Sequence, residues 1–383
     1  LHSEQLHLDN ILQGSTYQEV PAKATGNDNF TSWPNRNDWY ETIKLNYGID
    51  IISGRQVHFC PTPDTWQKML QILLYWASKG IDGFRCDMAE MVPVEFWEWA
   101  LPQVKTAYPN IVFIAEVYNP ALYRDYIHRG KFDYLYDKVG LYDTLLNVCR
   151  GQSTQSITSC WQSVDDIREH MLNFLENHDE QRLASDFLLG CGEKALPALL
   201  VSSLMPSPFM LYFGQELGER GMDEEGFSGK DGRTTIFDWW SIGSVRRLRK
   251  VIISGAYRTL NVTEIADAGL NEEEAAVFCR FAEATRLAAA DDAVRMGTTY
   301  DLCYCNSNSE GFDKNRHFAF LRDHLDHTLL IAANFSNQEA DMKITIPDHA
   351  FEWMGIPVTE SVYPGSVIEI TVPPMDAAVL QIV

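Results

Sequence analysis

The sequence has too few basic residues to be drawn to a polyanion. It contains 31 lysines and arginines against 53 acidic residues, so its formal net charge is −22 and its sequence pI is about 4.8. A chain with this charge is repelled by phosphate backbones and anionic lipid surfaces unless it carries a local basic patch, and the sequence contains no such patch. The expected partners therefore include neither nucleic acid nor membrane surfaces.

Long apolar runs and paired cysteines are also missing. No stretch reaches the ~18 to 20 consecutive apolar residues of a membrane-spanning helix, and the first thirty residues lack the two regions of a secretory signal. The eight cysteines form no CxxC pair and no His-interleaved zinc spacing, so buried free thiols are expected. The sequence leaves the compartment open between cytoplasm and periplasm.

A regular helical pattern begins near residue 62, after an irregular stretch rich in Asn, Asp, Gly and Ser. Thr62 is the expected N-cap, Pro63 fits the first helical position, and apolar residues then recur at helical spacing until Gly80. A second helix rich in Trp and Phe is predicted over residues 93–108. A further helical pattern covers roughly residues 244–295.

Five segments between residues 81 and 213 are predicted to be β-strands, each separated from the next by a segment of helical length. They are residues 81–87, 111–116, 132–137, 171–176 and 208–213. The hydrophobicity of the strongest runs is continuous rather than alternating, as in strands that are covered on both faces of a parallel sheet. Consecutive βα units without hairpin signals predict either a barrel or a doubly wound sheet.

Acidic residues stand at the carboxyl ends of three of these strands: Asp87, Glu116 and Asp179. Carboxylates beside apolar strands are costly and are usually kept for pairing or for proton and nucleophile chemistry. Two carboxylates are what glycoside hydrolysis with retention requires, and a third would hold the sugar. The alternative is that Asp87 pairs with Arg85, Asp179 caps the following helix and Glu116 is merely exposed.

Five segments in the same part of the chain resemble motifs of the alpha-amylase family of glycoside hydrolases, in the order of that family. They are residues 44–46 (KLN), 83–89 (GFRCDMA), 113–117 (FIAEV), 174–182 (FLENHDEQR) and 211–216 (LYFGQE). The resemblance runs from about residue 38 to about residue 238. It implies a (β/α)8 TIM barrel, of which only strands 4–8 are found, followed by a C-terminal antiparallel β-sandwich.

The resemblance also implies domain boundaries and an activity. Residues 1–60 would be the loop-rich remnant of an excursion domain inserted in the barrel, residues 61–297 the partial barrel, and residues 298–383 the β-sandwich. The implied activity is a retaining glycoside hydrolase that acts on alpha-glucosidic bonds of maltooligosaccharides or starch-like glucans. A glucan or maltosyl transferase of the same family and a truncated, inactive carbohydrate-binding fragment stay open as alternatives.

The resemblance assigns roles to individual residues. Asp87 would be the nucleophile that forms the covalent glycosyl intermediate, Glu116 the general acid/base, and Asp179 the stabiliser of the transition state, with Arg85 and His178 in contact with the sugar. The further candidates for substrate binding are Asn177, Arg182 and Tyr118. No metal ligand is assigned, and the reaction would require no cofactor.

The sequence departs from the family pattern at two places. Residues 1–60 contain neither the first three barrel strands nor the Asn-His motif that should follow the third strand. We therefore expect that the missing N-terminal half, or a second chain, completes the barrel. Residues 88–91 (MAEM) lack the Lys-His pair of ordinary alpha-amylases, which makes strict endo-hydrolysis of starch less favoured.

Three features outside the motifs have two interpretations each. Trp33, Trp39 and Tyr40 would either stack on sugar rings or attach the excursion domain to the barrel. The Asn and Asp side chains between residues 27 and 38 offer oxygen ligands of the kind that calcium prefers, although a solvated polar loop is the favoured interpretation. Residues 226–233 would form either a mobile lid or a plain surface connection.

Overall fold

The computed structural model describes residues 45–51, 53–222, 230–234 and 242–383. The chain forms two compact units. The first comprises Leu1–Val117 and Ala121–Asp133, and the second comprises Tyr118–Pro120 and Tyr134–Val383. The predictions for Trp33, Trp39 and Tyr40, for calcium at residues 27–38 and for residues 226–229 of the lid lie outside the described residues, as does most of the predicted excursion-domain remnant.

The described residues of the first unit form a short antiparallel hairpin, three α-helices and two parallel strands. These elements are β1 (Ile49–Asp50), β2 (Gln56–Val57), α1 (Asp64–Ala77), β3 (Gly83–Cys86), α2 (Val94–Ala107), β4 (Val112–Ala115) and α3 (Tyr123–His128). Strands β3 and β4 pair in parallel from Gly83 opposite Val112 to Cys86 opposite Ala115. Position 83 requires glycine, because a Cβ there would lie 2.5 Å from the carbonyl oxygen of Val112.

Aromatic side chains form much of the core of the first unit. Trp66 of α1 packs against Phe96 of α2 with ring centroids 5.7 Å apart, and its indole N–H donates to the carbonyl of Tyr47 at 2.9 Å. Helix α1 begins one residue later than the predicted cap implies. Pro63 occupies the N-cap without a side-chain hydrogen bond, so the prediction of Thr62 as N-cap is wrong.

The second unit continues the parallel βα pattern and then changes to helices. Its elements up to residue 296 are β5 (Tyr134–Tyr136), α4 (Asp143–Cys149), α5 (Gln155–Ser163), β6 (Met171–Phe174), α6 (Leu196–Leu204), β7 (Phe209–Met210), α7 (Gly243–Ser254), α8 (Val262–Ala268), α9 (Glu272–Ala290) and α10 (Asp292–Met296). Strand β6 pairs in parallel with β5 on one side and β7 on the other, and all four of its residues are buried. Burial of the whole strand is typical of a parallel sheet covered on both faces, and the amide of the polar Asn173 is satisfied by donating to the carbonyl of Ser202 at 3.0 Å.

The C-terminal part of the second unit is antiparallel. Its elements are β8 (Thr298–Asp301), α11 (Cys303–Asn306), β9 (His317–His324), β10 (His327–Asn334), β11 (Ala340–Thr345), α12 (Asp348–Met354), β12 (Val367–Val372) and β13 (Asp376–Gln381). The strand order is β13-β10-β9-β8 in one sheet, and β11 pairs with β12 in a second. One core joins both sheets, with Leu330 from the first and Met342 from the second fully buried.

The predicted fold class is confirmed. Five parallel strands alternate with helical segments as in part of a (β/α) barrel, and an antiparallel β region follows them. Cys303, Tyr304 and Cys305 alternate along the sequence as strand residues do, but these residues lie in helix α11. In the described part of the chain, no helix has both the length and the apolar character needed to cross a bilayer.

Candidate active site

Asp87 and Glu116 leave the ends of two neighbouring strands in the first unit. Asp87 directly follows β3 and Glu116 directly follows β4, and the backbone N–H of Glu116 donates to the carbonyl of Cys86 at 3.1 Å. The parallel register therefore brings the two acids to the same edge of the strand pair. Both positions were predicted from the points at which the apolar runs end.

One guanidinium group contacts both carboxylates. Nη1 of Arg85 pairs with Oδ1 of Asp87, and Nη2 of Arg85 lies 3.0 Å from Oε2 of Glu116. The guanidinium therefore bridges the two acids, and their nearest oxygens lie beside the two terminal nitrogen atoms of the same side chain. The Asp87–Arg85 pair of the alternative interpretation is present, but it is shared with Glu116.

The two acids differ sharply in exposure. The Asp87 side chain is 74% exposed, whereas that of Glu116 is 4% exposed, so the alternative in which Glu116 is merely exposed does not hold. Oε2 of Glu116 also accepts the backbone N–H of Met88 at 2.8 Å. Met88 has a φ of 43°, a left-handed conformation that is uncommon for a residue other than glycine and that concentrates at functional sites.

Cys86 lies between the two charged side chains in sequence. Burial raises the pKa of its thiol to about 12, an effect that the neighbouring Arg85 only partly opposes. The thiol therefore stays protonated at neutral pH and is a poor nucleophile.

Asp179 lies in the loop that follows β6 in the second unit. Its Oδ2 is 3.1 Å from Nε2 of His178, and no described helix begins at this residue, so it does not act as the helix cap of the alternative interpretation. The buried side chain of Asn177 accepts the backbone N–H groups of Asp179 at 2.9 Å and of Glu180 at 2.8 Å. One amide oxygen thus fixes the backbone on which Asp179 stands.

A second arginine in this loop has a different environment. Arg182 is fully buried, and its Nη1 lies 2.7 Å from Oε2 of Glu176. Its Nη2 donates to the carbonyl of Phe213 at 2.7 Å, and its guanidinium covers the ring of Tyr212 at 4.4 Å. Burial raises the pKa of Glu176, and Arg182 opposes that shift. Arg182 was predicted to contact substrate; the contacts that the structure shows for it are with these protein groups.

A π-helical turn over Lys138–Tyr142 supports the other side of the loop. Nζ of Lys138 lies 3.2 Å from Oε1 of Glu180 and 2.8 Å from Oδ1 of Asp143. Insertions of this kind are frequent near functional sites. The sequence analysis missed Lys138, although a lysine directly after an apolar run that ends in an acid was a usable signal.

Asp137 precedes this turn and was also missed as a site residue. Its buried side chain accepts the backbone N–H of Leu141 at 2.8 Å, and burial raises its pKa to about 6. A Cβ at Gly140 would lie 2.2 Å from Oδ1 of Asp137, so the turn requires glycine at that position.

The described end of the predicted lid contacts the Asp179 loop. Nε of Arg233 donates to the carbonyl of Asp179 at 3.0 Å, and the side-chain amide of Gln181 donates to the carbonyl of Asp231 at 2.8 Å. Tyr118, another predicted substrate contact, is half-buried in the short segment that directly follows Val117.

The predicted site residues form two groups, one in each unit. Arg85, Asp87 and Glu116 lie together in the first, and Asn177, His178 and Asp179 lie together in the second. Among the residues that the structure describes, no group of three or more His, Cys, Asp or Glu side chains is arranged to hold a metal ion.

Known proteins similar in sequence include glucan-acting enzymes. The maltosyltransferase of Cereibacter sphaeroides that is named alpha-1,4-glucan:maltose-1-phosphate maltosyltransferase is 34% identical over 71 residues, which are 18% of this chain and 11% of the relative. Alpha-amylase MalA of Haloarcula japonica is 31% identical over 161 residues, which are 41% of this chain and 23% of the relative. These matches span less than a quarter of either relative.

Solved structures show the same fold at low identity. The cyclic alpha-maltosyl-(1→6)-maltose hydrolase of Arthrobacter globiformis in complex with maltose has a TM-score of 0.60 at 16% identity, over 98% of this chain and 71% of the other. An Anoxybacillus alpha-amylase has a TM-score of 0.57 at 17% identity, over 85% and 64%. The sequence profile described as "Alpha amylase, catalytic domain" matches residues 28–324, well over half of the sequence, and the chain belongs to the alpha-amylase family.

Proposed function

We propose that this chain carries the catalytic acids of a retaining glycoside hydrolase that acts on alpha-glucosidic bonds of maltooligosaccharides or starch-like glucans. The observation that carries the proposal is the contact of Arg85 with both Asp87 and Glu116. It keeps an exposed and a buried carboxylate within reach of one sugar ring. Enzymes that retain anomeric configuration need two carboxyl groups about 5–5.5 Å apart.

The two carboxylates suit different steps because they differ in exposure. Asp87, which faces solvent, attacks the anomeric carbon, and a bond forms between its oxygen and that carbon while the glycosidic C–O bond breaks. Glu116 gives its proton to the leaving oxygen. It then takes a proton from water, whose oxygen displaces Asp87 and regenerates the free carboxylate. The Arg85 guanidinium orients both groups throughout.

Asp179 and His178 act on the sugar in this proposal. Their contact at 3.1 Å places a carboxylate and an imidazole side by side. The carboxylate can accept a hydrogen bond from one sugar hydroxyl, and the imidazole N–H can donate one to an adjacent hydroxyl. Negative charge on Asp179 would also stabilise the positive charge that develops on the ring in the transition state. Asn177 and Arg182 hold the loop in position through hydrogen bonds and an ion pair with protein groups. Tyr118 stays a candidate for contact with the sugar.

Transfer rather than hydrolysis is the second candidate. Several sequence relatives are named as maltosyltransferases, including those of Cereibacter sphaeroides and Picrophilus torridus. The two reactions share the glycosyl-enzyme intermediate and differ in whether water or a sugar hydroxyl meets it. Chromatography of the products separates them, because hydrolysis yields only shorter glucans and transfer also yields longer ones.

Turnover of a chromogenic maltooligosaccharide by the full chain tests the proposal. Asp87→Asn removes the nucleophile and is expected to lower kcat by roughly 10⁴-fold or more. Asp82→Asn is the matched control, since Asp82 is an exposed aspartate just before the same strand, and it should retain activity close to that of the unmodified chain. Equal activity of the two variants would exclude Asp87 as the nucleophile, and sugar binding without any turnover would support the inactive binding fragment.

Stereochemistry is a second, independent readout. Proton NMR of the first product formed should show the alpha anomer, because two successive displacements restore the original configuration. A beta anomer as first product would contradict a covalent intermediate.

We also propose that full activity requires the early barrel strands, supplied by a longer polypeptide or by a second chain. Five parallel strands are described, and a closed barrel of this type has eight. Expression of the chain together with the upstream coding region should raise specific activity over that of the chain alone. No cofactor is needed for the proposed chemistry, and any effect of calcium at residues 27–38 would appear as a lower Tm after chelation.

A further inference from the structure

Four aromatic side chains meet on the surface of the C-terminal β region, and we call them the aromatic cluster: Tyr300, Tyr304, His349 and Trp353. Tyr300 of β8 is buried and forms the floor. Tyr304 of α11 and Trp353 of α12 have ring centroids 6.3 Å and 6.2 Å from the Tyr300 ring, and the His349 ring lies 5.9 Å from it. Tyr304 is 61% exposed and Trp353 is 57% exposed.

The fold fixes the positions of these rings. Tyr304 follows Tyr300 by four residues, and the turn between them is held by a hydrogen bond from the Cys303 N–H to Oδ1 of Asp301 at 2.7 Å. His349 and Trp353 are four residues apart on α12 and therefore lie on the same side of that helix. Exposed aromatic rings set by three separate elements around one buried ring are not explained by core packing.

The cluster is polar as well as aromatic. The hydroxyl of Tyr300 lies 2.6 Å from the hydroxyl of Tyr304 and 3.1 Å from Nδ1 of His349. Burial raises the pKa of Tyr300, so its phenol stays neutral and can act as both donor and acceptor. The surface thus combines flat apolar faces with hydroxyl and imidazole groups.

A neutral polyol matches this surface better than a charged partner does. A sugar ring has an apolar face that can lie on an aromatic ring, and its hydroxyl groups can bond to the phenols. Asp348 and Glu352 are exposed on α12 beside the cluster, and the chain as a whole carries a net charge of −22. These charges repel anionic partners, whereas carboxylates readily accept hydrogen bonds from sugar hydroxyls.

We propose that the aromatic cluster binds a glucose unit of an alpha-glucan, as a site built from residues other than the catalytic acids. The identity of the sugar rests on the proposed function, because that function supplies the substrate class. Tyr304 and Trp353 provide the stacking faces, and the Tyr300 hydroxyl together with His349 provides the hydrogen-bonding floor. Such a site would hold a long glucan chain on the protein independently of bond cleavage.

Binding is measured on the full chain with Asp87→Asn in all variants, so that the glucan is not consumed. The probes are soluble starch in affinity gel electrophoresis and maltoheptaose in titration calorimetry. Trp353→Ala and Tyr304→Ala should each weaken starch binding by roughly three- to tenfold. Trp76→Ala is the matched control, since Trp76 is a similarly exposed tryptophan beside an exposed tyrosine, and it should leave starch binding unchanged.

One further variant separates the roles of ring and hydroxyl. Tyr304→Phe keeps the stacking face and should bind starch more tightly than Tyr304→Ala, which distinguishes a sugar contact from general loss of structure. Thermal unfolding of each variant checks the fold. Equal retardation of the Trp353→Ala, Tyr304→Ala and Trp76→Ala proteins would overturn the proposal.

Two other results have distinct meanings. If Trp353→Ala converts a dimer to a monomer in sedimentation while starch binding is unchanged, the cluster is an interface between copies of the chain and the proposal is wrong. If the active chain shows no turnover but starch binding depends on Trp353, the aromatic cluster is supported and only the proposed hydrolysis fails.

Discussion

Arg85 in the first unit and Arg182 in the second both pair with carboxylates, but they do so in different surroundings. Arg182 is fully buried and is paired with the single buried carboxylate of Glu176. Arg85 is partly exposed and is shared by Asp87 and Glu116, so its one positive charge faces two negative ones. The buried one-to-one pair holds a loop together, whereas the shared arginine leaves one carboxylate facing solvent, which the proposed role of Asp87 as nucleophile requires. The two sites contain the same residue types. They differ in the number of carboxylates that each arginine pairs with and in the access of those carboxylates to water.

The largest expected effect on stability comes from removing the arginine of the buried Arg182–Glu176 pair. Arg182→Met leaves Glu176 buried without a cation and should lower the free energy of unfolding by about 3–5 kcal/mol. Urea denaturation followed by tryptophan fluorescence measures this change. Arg220→Met is the matched control, because Arg220 pairs with Asp186 at the surface and its loss should cost less than about 1 kcal/mol. Similar losses in the two variants would mean that burial does not set the strength of the pair.

The buried carboxyl group of Asp137 extends the comparison to an acid whose pKa is raised by burial. The pKa of Asp137 is raised by burial from 3.8 to about 6, so the folded state holds this proton more tightly than the unfolded state does. The stabilisation is complete below about pH 3.8 and is lost as the pH rises through about 6, a change of roughly 3 kcal/mol. Relative to Asp137→Asn, the unmodified chain should therefore become less stable between pH 4 and pH 7. A difference in unfolding free energy that does not change with pH would refute this.

The third prediction concerns the shared arginine. Arg85→Met should lower kcat by about a hundredfold, the size of effect seen when one preorganised electrostatic partner is removed. Arg85→Lys keeps the charge and should recover part of the lost kcat, which is measured with the same chromogenic maltooligosaccharide. A kcat for Arg85→Met equal to that of the unmodified chain would show that the shared arginine has no part in turnover.

The strands and two of the acids were predictable because both signals are local. Strand-like segments of the sequence located all five parallel strands, and the acids that end two of them, Asp87 and Glu116, follow β3 and β4 directly. The observed strands are shorter than the predicted segments. Short apolar runs at hairpin spacing also mark the antiparallel strands from β9 to β13.

The features that were missed depend on contacts between distant residues. Nothing in the sequence distinguishes Arg182, which is buried with one carboxylate, from Arg85, which contacts two. Burial is a property of the folded loop. The π-helical turn at Lys138–Tyr142 has no periodicity of its own, and its lysine pairs with Glu180 across 42 positions of sequence. The helix Cys303–Asn306 has only four residues and is too short for helical periodicity to appear in its sequence.

The loop that carries Asp179 has a consequence for engineering. The amide oxygen of Asn177 accepts the backbone N–H groups of Asp179 and Glu180, and the Glu180 side chain pairs with Lys138, so these contacts flank His178 and Asp179 on both sides. A library that randomises surrounding loops should leave these contacts in place. An insertion of one residue between Asn177 and Glu180 would separate the amide oxygen from its two N–H donors, so the length of this loop is the property that a design should keep.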